Sequence, residues 1–177
     1  KKVLTRTFLI FLIGYLMYWF PFFRLDSQNH IQSFPISETR IPGVLQRIAL
    51  ASCAASLMLH FLQKRQVLFA SIFILIAYWG ILYFFGNAPD PYSIHGNIVL
   101  KIDTWFFGIN HLYTGEGFPF DPEGLLSTLP SIVNVVAGFF AGYFLQKNGK
   151  NYESLFKLIF VGFICFVIAW WWNLVFP

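Results

Sequence analysis

Five stretches of this chain hold no Lys, Arg, Asp or Glu: residues 7–23, 48–63, 66–89, 124–146 and 158–177. A helix that crosses the hydrocarbon core of a bilayer needs about 20 mostly apolar residues. Three of the runs reach that length alone, the first does so with Val3 and Leu4, and the second does so if residues 41–47 join it. The pattern therefore predicts five spans at about 3–23, 41–62, 66–86, 124–145 and 156–176. Between Gly96 and His111 the pattern changes. There Ile98, Ile102, Trp105 and Phe106 recur at helical spacing, with Asn97, Lys101 and Asp103 elsewhere on the wheel, which predicts a short amphipathic helix lying at the membrane surface.

Composition agrees with the pattern. Of the 177 residues 57% are hydrophobic and 11% charged, with 23 Phe, against about 25% charged residues in soluble domains. A soluble domain of this size could not cover its surface with so few ionic side chains, and disorder is excluded by the same figures. Two Cys exclude a disulfide-stapled module. The predicted fold class is an all-α polytopic membrane bundle forming a single domain over residues 1–177.

Charge sets the orientation. Lys1, Lys2, Arg6, Lys64, Arg65, Lys147, Lys150 and Lys157 flank the spans on one side, which the positive-inside rule makes cytoplasmic. The other side holds Arg24, Arg40 and Lys101 with Asp26, Glu38, Asp90, Asp103, Glu116, Asp121 and Glu123. Segments 24–40 and 87–123 are thus expected outside. The net charge of +4 follows from this bias and requires no nucleic-acid partner. The start at Lys1 and the stop at Pro177, beside the Trp170–Trp171–Trp172 cluster, suggest a piece of a longer chain.

Candidate chemistry concentrates on the outer side. In Arg40-Ile41-Pro42-Gly43-Val44-Leu45-Gln46-Arg47, Pro42 is expected in the first helical turn and Arg47 about two turns inside the span. A guanidinium and an amide there are costly unless they line a polar cavity. Arg40 and Arg47, seven apart, should share a face, beside a stripe of Gln46, Cys53, Ser56 and His60. Asp121-Pro122-Glu123-Gly124 reads as a helix start, followed by Ser127, Thr128, Ser131 and Asn134 on the cavity side, with Pro130 interrupting the helix. Gly138 and Gly142 form a small-residue pair suited to close helix packing. His111, in Asn110-His111-Leu112-Tyr113, is a candidate acid or base. No metal-ligand pattern, nucleophile elbow or nucleotide fingerprint occurs.

Taken in order, Arg40 to Arg47, Lys101-Ile102-Asp103, Asn110 to Tyr113, and Asp121-Pro122-Glu123-Gly124-Leu125-Leu126-Ser127-Thr128 resemble the heparan-α-glucosaminide N-acetyltransferase family of transmembrane acyltransferases, including its bacterial members of unassigned function. The resemblance implies transfer of an acetyl group from cytoplasmic acetyl-CoA to an amino-sugar or related glycan on the outer side. It places the principal catalytic His outside residues 1–177, so these residues alone should be inactive. His111, Asp121 and Glu123 would then support catalysis, and Arg40, Gln46, Arg47, Ser127 and Asn134 would bind substrate or cofactor. Arg47 and Gln46 would donate to an oxyanion or to CoA, and Lys64, Arg65, Lys147 and Lys150 would attract its nucleotide end. The expected setting is a bacterial inner membrane with both outer segments in the periplasm, and homo-oligomers are left open. A transporter or permease is the competing class, with Gln46, Arg47, Asn134 and Pro130 lining a substrate path.

Overall fold

The computed structural model describes residues 1–25, 30–87, 89–115, 117–149 and 151–174. Asp26 and Glu116 of the outer charge set and Lys150 of the inner set lie outside these. The fold is all-α: α1 is Lys2–Trp19, α2 Val44–Phe61, α3 Lys64–Phe85, α4 Ile98–Phe107, α5 Thr128–Asn148 and α6 Tyr152–Trp172. Two three-residue strands, β1 (Phe23–Leu25) and β2 (Ile31–Ser33), pair Phe23 with Ser33 and Leu25 with Ile31 in antiparallel register.

All helices but α4 are long and apolar enough to cross a bilayer, with mean hydropathy between 1.2 and 2.3. Their outward faces are hydrocarbon: Phe69, Phe73 and Phe84 of α3 are exposed, and in α6 only Ser154 is buried. Such faces suit lipid and would be untenable in water. The protein is an integral, multi-pass membrane protein.

Two of the helix ends that differ from the sequence expectation do so where proline acts, whereas α3 begins at Lys64 and α6 at Tyr152, earlier than expected, with no proline there. A residue before proline is pushed out of the helical region. Phe20, before Pro21, is extended at ψ 137°, so α1 ends at Trp19. Ile41 precedes Pro42, and α2 begins only at Val44 with Gly43 as its cap. Pro42 therefore stands before the helix, and Arg47 lies in its first turn instead of two turns inside. At α3, Gln63 and Gln66 form a reciprocal capping box.

Two compact units make up the chain, Lys1–Val133 and Asn134–Pro177, the boundary falling within α5. In the first unit α1 and α2 meet through small residues. A Cβ on Gly14 would lie 2.7 Å from Leu45 Cβ and from Gln46 Oε1, and one on Gly43 would strike the Tyr18 ring. Ala49, Ala51 and Ala55 are buried on α2, and such small side chains let helix backbones approach closely in lipid. The segments on either side of α2 and α4 also meet: the Ile41 N–H donates to the His111 carbonyl at 3.0 Å. In the second unit Asn151 caps α6 by accepting from the Ser154 N–H at 2.8 Å. Gly138 and Gly142 have open space beside them, so the close packing expected of that pair is not formed among the described residues.

The surface helix appears at Ile98–Phe107, capped by Asn97, but rotated from the expectation. It buries Val99 and Asp103, while Trp105 stands 84% exposed. The reason is polar: Asp103 finds a backbone donor beneath the helix, and an indole suits an interface.

Candidate functional site

The site is built on the lead-in to α5. Residues 121–127 form turns, and the helix starts at Thr128 rather than Gly124. Asp121 caps no helix; its Oδ1 accepts the Glu123 N–H at 3.0 Å and turns the chain locally. Ser127 Oγ donates to the Pro122 carbonyl at 2.8 Å, and Thr128 Oγ1 to the Gly124 carbonyl at 2.9 Å. Pro130 falls in the first turn of α5, where its missing N–H is no loss. It does not interrupt the helix.

Arg40 ties this lead-in to the start of α2. Its Nε and Nη2 donate to the two Asp121 carboxylate oxygens at 2.7 Å each, and Nη2 also reaches Glu123 Oε2 at 2.6 Å. The guanidinium carbon lies 5.0 Å from the centroid of Tyr18 and 4.8 Å from that of Tyr113. Planar, fork-shaped and weakly hydrated, a guanidinium suits this setting better than an ammonium. Burial pulls the Arg40 pKa down, but pairing with Asp121 and Glu123 outweighs it and the net shift is upward. Asp121, 1% exposed, also accepts the Tyr113 N–H at 3.2 Å, so its acceptor sites are filled. Glu123 differs. Its Oε1 makes no hydrogen bond among the described residues. Arg40 thus engages both oxygens of Asp121 but only one of Glu123.

Arg47 does not share a helix face with Arg40; both reach the same lead-in from α2 and its preceding loop. Arg47 Nε donates to Ser131 Oγ at 2.6 Å and Nη2 to the Ser127 carbonyl at 3.0 Å. Its Nη1 reaches the Pro122 carbonyl only at 3.5 Å, so part of its donor set stays unengaged among the described residues. Gln46, 2% exposed, is wedged against Gly14 of α1, and both its amide atoms lack a partner among the described residues. Cys53 and Ser56 are half-buried and His60 is exposed, so the remainder of the α2 stripe does not converge on the cluster. Asn134 is exposed and belongs to the second unit.

His111 acts as a clasp. Its Nδ1 lies 2.7 Å from the Thr39 carbonyl, which can only accept, so Nδ1 carries a hydrogen. With the bond from Ile41, the ring and backbone of His111 fix the loop that delivers Arg40.

Asp103 is the group that pattern reading placed on the wrong side. It is 1% exposed, its Oδ1 accepts the Leu125 N–H at 2.9 Å, and its Oδ2 has no partner among the described residues. A Cβ on Gly124 would fall 1.7 Å from that Oδ2, so glycine is needed there for close approach. Burial raises the Asp103 carboxyl to about 6; the Leu125 N–H opposes this and the field of Asp121 adds to it. The available signal was Val99, one turn earlier on the same helix face.

Beside the cluster lies a cavity of about 230 Å³. Gln46, Arg47, Glu123 and Thr128 line it together with the apolar Phe11, Ile41, Pro42, Leu50, Phe106, Phe107 and Leu125. The structure thus brings Arg40, Arg47, Asp121, Glu123 and Ser127 into one hydrogen-bonded network, with Gln46 on the adjoining wall. No family model and no curated protein matches the chain.

Proposed function

We propose that this chain belongs to a membrane-bound acyltransferase that moves an acetyl group from cytoplasmic acetyl-CoA to an amino-sugar or related glycan on the outer side of a bacterial inner membrane. The observation that carries the reading is Glu123: a carboxylate held by Arg40 through one oxygen, with the other unengaged, at the edge of a cavity. The unengaged Glu123 oxygen can accept a hydrogen bond from an ammonium group, which is how an amino-sugar arrives at neutral pH. Glu123 then orients the amine and takes up the proton it must lose before attacking a thioester carbonyl. Asp121 holds Arg40 in place and touches no substrate. His111 positions the loop that carries Arg40. In this reading the segments 24–40 and 87–123 lie in the periplasm, and the motif resemblance supplies the donor and the acceptor class.

The experiment is an assay of full-length protein in detergent with labelled acetyl-CoA and glucosamine. Acetylated sugar is expected, and Glu123→Gln should lower kcat/KM by roughly 10- to 100-fold, the worth of one charged hydrogen bond. Unchanged turnover in that variant removes the role of Glu123. Sugar flux in vesicles without any acetylation replaces the reading with transport.

A further inference from the structure

We propose that the β1–β2 pair is an amphipathic sheet lying in the lipid headgroup layer at the C-terminal end of α1, with its Phe23–Leu25–Ile31 face turned into the bilayer. The partner is the lipid surface. In the orientation proposed above this is the periplasmic leaflet, so segment 24–40 stays on the periplasmic side. Docking of this kind requires only that the chain resides in a membrane, whatever reaction it performs.

Side chains alternate along a strand, and residues paired across an antiparallel ladder share a face. Phe23 and Leu25 therefore stand with their partners Ser33 and Ile31, while Arg24 stands with Gln32 on the opposite face. The two faces are satisfied differently. On the polar one, Arg24 Nη1 donates to Glu38 Oε2 at 2.5 Å and the guanidinium lies over the Phe34 ring. On the apolar one, Phe23, Leu25 and Ile31 stay 48%, 59% and 73% exposed. A two-stranded pair is marginal in water by itself, so this face needs an apolar cover.

Position names the cover. The indole of Trp19, the last residue of α1, donates to the Phe34 carbonyl at 2.9 Å, and the Phe34 N–H donates to the Phe22 carbonyl at 2.9 Å. The pair is thus fastened to the end of a membrane-spanning helix. Leu9, Ile13 and Met17 recur four apart along α1 and are exposed, as a row facing lipid must be. Phe20 and Phe22, also exposed, carry that apolar surface on to β1. Length sets the depth. The 18 residues of α1 rise about 27 Å against a hydrocarbon core of about 30 Å. Lys1, Lys2 and Arg6 hold the opposite end near the other headgroups. Trp19 then stands no farther out than the hydrocarbon edge, and β1 follows within the adjoining headgroup layer.

The test uses full-length protein in lipid nanodiscs with one environment-sensitive fluorophore, on Ile31→Cys, Leu25→Cys or Gln32→Cys, and no other cysteine. The quenchers are lipids carrying a nitroxide at graded depths along the acyl chain, and aqueous iodide. Labels at 25 and 31 should be quenched by the lipids and spared by iodide, at a depth of about 5–10 Å into the boundary between headgroups and acyl chains. The label at 32, on the opposite face, should show the reverse. Leu25→Asp should release the label at 31 to iodide, because a carboxylate at that depth is costly, while the elution volume of the protein stays unchanged. Leu25 and Ile31 are cross-strand partners, so either label suffices if the other variant does not fold. Iodide quenching at 25 and 31 puts the face in water and overturns the proposal. Shielding from both quenchers means that protein covers the face, and this also overturns it: a second copy if one protein per disc exposes the labels, another segment of the chain if it does not. Lipid quenching at all three positions overturns the one-faced docking.

Discussion

Replacing Asp103 by Asn should abolish a pH-dependent weakness in the fold. Among the described residues Asp103 is buried with a single donor, the Leu125 N–H, and its second oxygen has none. Burial is what lifts its carboxyl from 3.8 to about 6, with the Leu125 bond pulling down and Asp121 pushing up. A rise of that size corresponds to about 3 kcal/mol of preference for the protonated form, fewer where water penetrates. The sign follows from proton binding. Between pH 4 and pH 6 the folded protein holds a proton on Asp103 that the unfolded chain has released, so stability falls as pH rises through that window. Above pH 6 the loss is complete and the contribution is flat. Asp103→Asn keeps an oxygen for the Leu125 N–H and carries no charge at any pH. The assay is reversible unfolding in mixed micelles at intervals from pH 4 to 7.5 for both proteins. Their stability difference should shift in favour of the variant by about 2–3 kcal/mol across the window, other titrating groups cancelling in the comparison. A difference that stays constant with pH would refute the reasoning.

Two further outcomes follow from the same geometry. Gly124→Ala should strongly destabilise or prevent folding, because its Cβ lands 1.7 Å from Asp103 Oδ2, and the second change Asp103→Ala should restore much of the loss, read as folded yield by size-exclusion chromatography. Arg40→Ala should lose about 3–5 kcal/mol by stranding the buried Asp121 carboxylate, and Arg40→Lys should recover only part of this because an ammonium cannot make the two-pronged bond; denaturant midpoints would check both.

Much of the site was legible because its residue types are expensive where they stand. Arg40, Arg47, Asp121 and Glu123 drew notice as ionic groups at the ends of apolar runs, and in the first unit they do share one network. Their individual duties were not legible. Asp121 and Glu123 are two residues apart and chemically alike, yet one is saturated by Arg40 and backbone donors while the other keeps an oxygen unengaged. Only the path of the chain through 121–127 makes that distinction. Asp103 was misjudged because wheel position cannot report a backbone donor that arrives from 22 residues away.

Membrane residence and the number of spans were decided by the sequence alone, since the lack of charge over about 20 residues is a local property that hydrocarbon rewards directly. The helix boundaries were nearly so, missing by up to four residues, at a proline in α1 and α2 and without one in α3 and α6. Tertiary structure alone decided how Arg40 divides its donors and how Gly124 and Asp103 interlock. Those depend on distances between segments remote in the chain, and hydrophobic pattern carries no record of such distances.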